Sequence, residues 1–237
     1  MNRVLVALDV DSREKALALA GALRGSVAGY KIGKQLFTSE GPDIVRTLAQ
    51  HDERVFLDLK FHDIPNTVAG AVRAAVATGA WMINVHASGG SAMMRAAAGA
   101  AREAAEHLGR PRPLVIGVTV LTSMNQAALA EVGIACPVLD QVVLLATLAR
   151  AAGLDGVVAS PHEIAAIRAA CGPDFAIVTP GIRPAGHSGT DDQARTLTPS
   201  EAVAAGATYL VIGRPITAAA DPRTAAEAIA RETAGTD

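Results

Sequence analysis

The chain is short of cysteine, aromatic residues, lysine and net charge. Two cysteines in 237 residues, Cys136 and Cys171, sit in no CxxC or zinc-ligand spacing and imply no disulfide framework. Aromatic residues make up only 3%, so the core must be built from Ala, Val, Leu and Ile, although 50% of the chain is apolar. A net charge of -2, with both signs spread along the sequence, leaves no basic patch or tail, and no nucleic-acid partner is expected. No run of about 18 uncharged apolar residues is present, so no membrane span is expected. The opening MNRVLVALDVDSRE is too short and too charged in its apolar part for a signal peptide, and a cytoplasmic protein is expected.

The scarcity of lysine is the most informative of these. Of 21 basic residues only Lys15, Lys31, Lys34 and Lys60 are lysines. The chain uses Arg for generic positive charge, so a retained Lys can mark a task at which Arg fails. Proton donation is such a task, because a guanidinium effectively never releases its proton. Chance survival is the competing explanation, and it weighs more for Lys15 and Lys34 than for Lys31 and Lys60.

What is abundant is alternation between short apolar β-rich runs and Ala-rich helical stretches. Strands are expected at residues 4–8, 29–32, 55–59, 82–85, 114–118, 156–159, 176–179 and 209–212. Most are continuous apolar runs, as befits strands covered on both faces. Helices are expected at 13–23, 42–50, 67–78, 92–107, 139–152, 161–170, 199–205 and 222–232. Asp11-Ser12, Ser160-Pro161 and Thr198-Pro199-Ser200-Glu201 are helix-start signals, and Gly79, Gly109, Gly153 and Gly206 stand near helix ends. Eight βα units predict a single (β/α)8 TIM barrel spanning residues 1–237 as one α/β domain. An open doubly wound sheet is the rival, weakened because the first βα turn lacks GxGxxG.

In such a barrel the chemistry sits where strands end. Strand one leads to Asp9, strand two to Lys31, strand three to Asp58, Lys60 and Asp63, and strand four to Asn84 and His86. Strand five leads to Thr119-Val120-Leu121-Thr122-Ser123, strand seven to Gly181-Ile182-Arg183 and strand eight to Gly213-Arg214. Asp58 and Lys60 lie two apart, so they point the same way from a strand. Burying both charges costs several kcal/mol per ion unless they are paired. A register-fixing ion pair is one account. Four alternating charges at one mouth, with Lys31 and Asp63 added, fit an electrostatic device better.

Arg183 and Arg214, each beside Gly at neighbouring strand ends, suit a phosphate. Each contact would be worth on the order of 1.5–3 kcal/mol, against the alternative of solvated surface arginines. His62, Asp63 and His86 show no HxH or HExxH spacing, and Lys60 would compete for the carboxylates, so no metal is expected. Ser88 and Ser123 have no evident triad partners.

The stretch LDLKFHDIPNT closely resembles the signature of the orotidine 5′-phosphate decarboxylase family. VALD, KIGKQLF, WMINVHASGG, VTVLTSM, LDGVV, VTPGIRP and YLVIGRPIT resemble its bacterial form in the same order, over nearly the whole chain. The resemblance implies decarboxylation of orotidine 5′-monophosphate to UMP, the last step of pyrimidine nucleotide synthesis, without a cofactor. It also implies a homodimer with shared active sites, Asp63 and Thr67 reaching into the partner's. By the same resemblance, Lys31, Asp58, Lys60 and Asp63 form the catalytic array, with Lys60 protonating C6. Asp9 and Lys31 hold the ribose hydroxyls, Thr122 the pyrimidine, and Arg183, Gly213 and Arg214 the phosphate. Gln193 sits on a closing loop, and Ile64 joins the substrate-binding set. Three rivals remain at this level: a Mg²⁺-dependent sugar-phosphate decarboxylase sharing only the DxKxxD core, a Schiff-base aldolase using Lys60, and a non-catalytic phosphosugar-binding barrel.

Overall fold

The computed structural model describes residues 2–184 and 197–234. Eight apolar runs form strands: β1 Val4–Ala7, β2 Gly29–Gly33, β3 Val55–Phe61, β4 Met82–His86, β5 Leu114–Val118, β6 Gly156–Val158, β7 Ala176–Thr179 and β8 Tyr209–Ile212. All pair in parallel in chain order, and β1 closes onto β8 with Val4 opposite Leu210 and Val6 opposite Ile212. That closing pair removes the open-sheet alternative and defines a (β/α)8 barrel.

The helices are α1 Arg13–Leu23, α2 Lys34–Glu40, α3 Asp43–Gln50, α4 Pro65–Ala77, α5 Gly90–His107, α6 Gln126–Glu131, α7 Val138–Ala151, α8 Ile164–Cys171, α9 Pro199–Ala204, α10 Arg214–Thr217 and α11 Pro222–Ala234. Their starts follow the chemistry of the exposed first-turn amides. The Ser12 hydroxyl accepts from the Lys15 N–H, and the Asn125 side-chain Oδ1 accepts from the Ala128 N–H. Thr198 and Glu201 cap each other reciprocally at α9. The start signal at Ser160-Pro161 opens a 3₁₀ turn, Pro161–Glu163, before α8 begins. Helices α2, α6 and α10 add to those expected from periodicity. Each is seven residues or fewer, too short to display a repeating apolar stripe.

Strand alternation sorts the apolar residues into two clusters. Tyr30, Ile32, Leu57, Ile83 and Ile177 face outward and pack with helical residues such as Leu36, Val72, Met94 and Ile167. Leu5, Ala7, Phe56, Met82, Ile116, Val178 and Val211 face inward and fill the barrel. No described helix is long and apolar enough to cross a membrane. The strands are packed on both faces, and their C-terminal ends converge on one mouth.

Candidate active site

The inward positions change character towards that mouth. On β2, Gly29 is followed by Lys31; on β3, Phe56 by Asp58; on β4, Met82 by Asn84. In the sheet Lys31 lies beside Phe56 and Gly33 beside Asp58. A cavity of about 470 Å³ opens above, lined at one side by Asp9, Lys31, Asp58 and Lys60. Its wall is apolar, with Phe56, Val118, Val120, Val158 and Val211 among the lining residues.

The charges form a continuous row. The Lys60 ammonium donates to Asp58 Oδ1 at 2.6 Å, and Lys31 Nζ stands 3.6 Å from Asp58 Oδ2. Lys31 Nζ also donates to Asp9 Oδ1 at 3.0 Å. Gly33 makes room for this last pair, since a Cβ there would lie 3.1 Å from Lys31 Nζ and 3.2 Å from Asp9 Oδ1. Burial pushes the Asp58 carboxyl up, but the ammonium groups of Lys31 and Lys60, with hydrogen bonds from Lys60 and Asn84, hold it below the usual carboxylate range.

Asp58 and Lys60 meet by a different route from plain strand alternation. The pairing of β3 with β4 shifts between Leu57↔Ile83 and Phe61↔Val85, so β3 carries extra residues there. Within this bulge Lys60 has φ 54°, the left-handed region, which costs an L-residue about 1–2 kcal/mol. Asn84 sits under the bulge, fully buried. Its Oδ1 accepts from the Lys60 N–H at 2.8 Å and its Nδ2 donates to Asp58 Oδ1 at 2.7 Å. The sequence placed Asn84 at a strand end without a task. An inward-register polar residue two positions beyond Met82 was the available signal.

Pro180, Gly181, Arg183, Gly213, Arg214 and Thr217 line the same cavity at the ends of β7 and β8, and Leu121 and Thr122 join from the β5 side. A bridge between Ile182 and Leu197, with the Arg183 N–H donating to the Leu197 carbonyl at 3.0 Å, ties the described chain together beside them. Gln193 lies outside the described residues.

Asp63, Ile64 and Thr67 do not line the cavity of their own chain. All three are exposed, Ile64 to 66%, and Asp63 Oδ1 accepts from the Ile64 N–H at 2.6 Å. His62 and His86 lie nearby with ring centroids 5.3 Å apart and their planes tilted by 39°. Burial, together with the positive fields of His62, Lys60 and Lys34, pushes the His86 imidazole down to about 4. Among the described residues no group of three His, Cys, Asp or Glu is placed to hold a metal ion.

Fold and cavity together define a (β/α)8-barrel enzyme with a row of alternating charges at its mouth. The model of the orotidine 5′-phosphate decarboxylase / HUMPS family matches residues 2–229. An orotidine 5′-phosphate decarboxylase of Moorella thermoacetica is 58% identical, over 98% of this chain and 92% of the relative. That of Alkalilimnicola ehrlichii is 54% identical over 100% and 98%. The crystal structure of the Lactobacillus acidophilus enzyme of the same name superposes with a TM-score of 0.88 at 38% identity, covering 98% of this chain and 99% of that one. The chain belongs to the orotidine 5′-phosphate decarboxylase / HUMPS family.

Proposed function

We propose that this chain decarboxylates orotidine 5′-monophosphate to UMP and CO₂, the closing step of pyrimidine nucleotide synthesis, with Lys60 as the proton donor and no cofactor. The observation that carries the assignment of Lys60 is its ammonium, bonded to Asp58 at 2.6 Å inside a cavity that also reaches Arg183 and Arg214.

In the step, the bond from C6 to the carboxylate breaks and its electron pair stays on C6. No ring carbonyl is placed to delocalise that pair well. A fixed ammonium stabilises the charge as it develops, and its proton then forms the new C6–H bond. Asp58, kept ionised by its two lysines, stands where the departing carboxylate would lie, so loss of CO₂ relieves a repulsion between like charges. Asp9 and Lys31 serve the ribose hydroxyls and Thr122 the pyrimidine. Arg183, Gly213 and Arg214 hold the phosphate, and Gln193 joins the substrate-binding set by the family resemblance alone. Binding energy gathered at the phosphate, far from C6, orders the reacting groups.

The same reading makes the enzyme a cytoplasmic homodimer. Asp63 and Thr67 serve the partner's cavity, in keeping with their exposure and their absence from their own, and Ile64 beside them belongs to the substrate-binding set. The test is spectrophotometric loss of orotidine 5′-monophosphate with EDTA present. Steady turnover is expected. Activity only with added Mg²⁺ and another sugar phosphate, a borohydride-trapped adduct on Lys60, or tight UMP binding without turnover would each replace this reading by a named alternative.

A further inference from the structure

We propose that Asn84 is a positioning residue for the decarboxylation, its single amide setting where both Lys60 and Asp58 stand. The inference rests on the reading that Lys60 protonates C6. Asn84 is 0% exposed at an inward position of β4, directly above Met82, where an apolar residue would serve stability alone. Both polar ends of its side chain are spent on β3. Because an N–H can only donate and a carboxylate only accept, the two partners fix which way the amide points.

The consequences at each end differ. At the Lys60 end, the pairing shift between β3 and β4 takes the backbone out of register, and the Asn84 side-chain carbonyl receives the N–H of a residue held at φ 54°. That contact pins the Cα from which the proton-donating side chain departs. At the Asp58 end, Oδ1 receives two donors, Asn84 Nδ2 at 2.7 Å and Lys60 Nζ at 2.6 Å. The carboxylate can then turn only its Oδ2 edge toward Lys31, 3.6 Å away. One amide thus closes a ring through a backbone N–H, an ammonium and a carboxylate, and no other described side chain bonds to both residues in this way.

The experiment compares native protein with Asn84→Ala and Asn84→Asp, measuring kcat and KM for orotidine 5′-monophosphate across pH, with thermal melting as the folding check. For Asn84→Ala, kcat is expected to fall about a hundredfold, the cost of misplacing a reacting group by about 1 Å, while KM stays within about threefold because the arginines lie across the cavity. Asn84→Asp keeps the acceptor for the Lys60 N–H but faces Asp58 with a second carboxylate. The charged and titratable groups around that position are Asp58 and Lys60 on β3, Lys31 on β2, His86 on β4 itself, and Asp9 beyond Lys31. As pH falls the new carboxyl takes up a proton and regains a donor, so its kcat relative to native should rise about tenfold from pH 8 to pH 5. A residue that filled space without setting where Lys60 and Asp58 stand would leave the ratio of kcat values flat across pH. Asn84→Ala with kcat within about threefold of native overturns the proposal, as does a pH-independent ratio for Asn84→Asp. If Asn84→Ala does not fold, the Asn84→Asp ratio decides. Native protein that leaves the substrate untouched overturns the functional reading instead, a result distinct from an active native chain with indifferent variants.

Discussion

Two residues along each of β2, β3 and β4, the barrel interior changes from packing to polar and charged groups: Gly29 gives way to Lys31, Phe56 to Asp58 and Met82 to Asn84. In the lower layer Phe56 and Met82 belong to an apolar cluster, and the upper one is a chain of ion pairs and hydrogen bonds. Same strands, same face, one step apart, they do opposite things to the free energy. The lower layer stabilises by leaving water. The upper layer gives up solvation of several charges and recovers only part of it through pairing. Under the proposed mechanism it is kept because a fixed, partly desolvated ammonium acts on a developing carbanion without having to reorganise.

The largest effects should separate these layers. Lys60→Ala is expected to lower kcat by about 10⁴-fold or more, losing both charge stabilisation and proton donor, while the melting temperature hardly moves. Lys60→Arg should fail alongside it, because it keeps the charge but cannot return a proton. Met82→Ala, one layer down and fully buried, should instead destabilise by about 2–5 kcal/mol, read by denaturant titration, with kcat of the folded protein close to native. A Met82→Ala protein that lost turnover as Lys60→Ala does, at full stability, would erase the division.

A second test asks whether the upper layer is complete in one chain. Inactive Lys60→Ala and inactive Asp63→Ala subunits, mixed under conditions of proven exchange, should recover up to roughly a quarter of native activity, since half of the dimers would carry one intact site of two. No recovery would return Asp63 to its own subunit.

The two layers were also unequally legible in the sequence. The eight strands could be read because strands covered on both faces appear as unbroken apolar runs, and the row Asp9, Lys31, Asp58, Lys60 could be read because charge interrupts those runs. The bulge at Lys60 could not. A left-handed residue is normally advertised by Gly, Asn or Asp, and LDLKFHD puts lysine there. Asn84 had the opposite problem: asparagine near a strand end reads equally as a turn or cap residue, and only the folded chain shows its amide bonded to both Lys60 and Asp58. Asp63 and Thr67 are exposed and do not line their own cavity, so their assignment rests on the family resemblance.

A smaller effect comes from His86, at the rim of the charged layer. Its folded value lies near 4 against an ordinary 6.5, so the unfolded chain binds its proton first as pH falls. The neutral imidazole's contribution is complete above pH 6.5 and is lost progressively between 6.5 and about 4. Allowing for solvent screening at this half-buried site, it amounts to about 1–2 kcal/mol. His86→Gln should flatten stability across that window while leaving the steeper loss at lower pH, where Asp58 and other depressed carboxylates take up protons. An unchanged slope would assign the window to other groups.

The smallest effect tests the strain itself. If Lys60 stands at φ 54° because Asn84 and the bulge demand it, the backbone and not the side chain carries that cost. Lys60→Gly and Lys60→Ala both remove the amine, so both lose turnover, but only glycine adopts the left-handed region freely. Glycine also gains more entropy on unfolding, which takes back about 0.5–1 kcal/mol of the advantage. The balance should leave Lys60→Gly more stable than Lys60→Ala by about 0.5–1 kcal/mol, or roughly 1–4 °C in melting temperature for a chain of this size. That order reverses what the two residues do inside an ordinary strand, where glycine is the weaker choice. Alanine proving the more stable would mean that the bulge relaxes once the lysine is gone, and that the charged row, rather than the strand pairing, holds Lys60 in its unusual conformation.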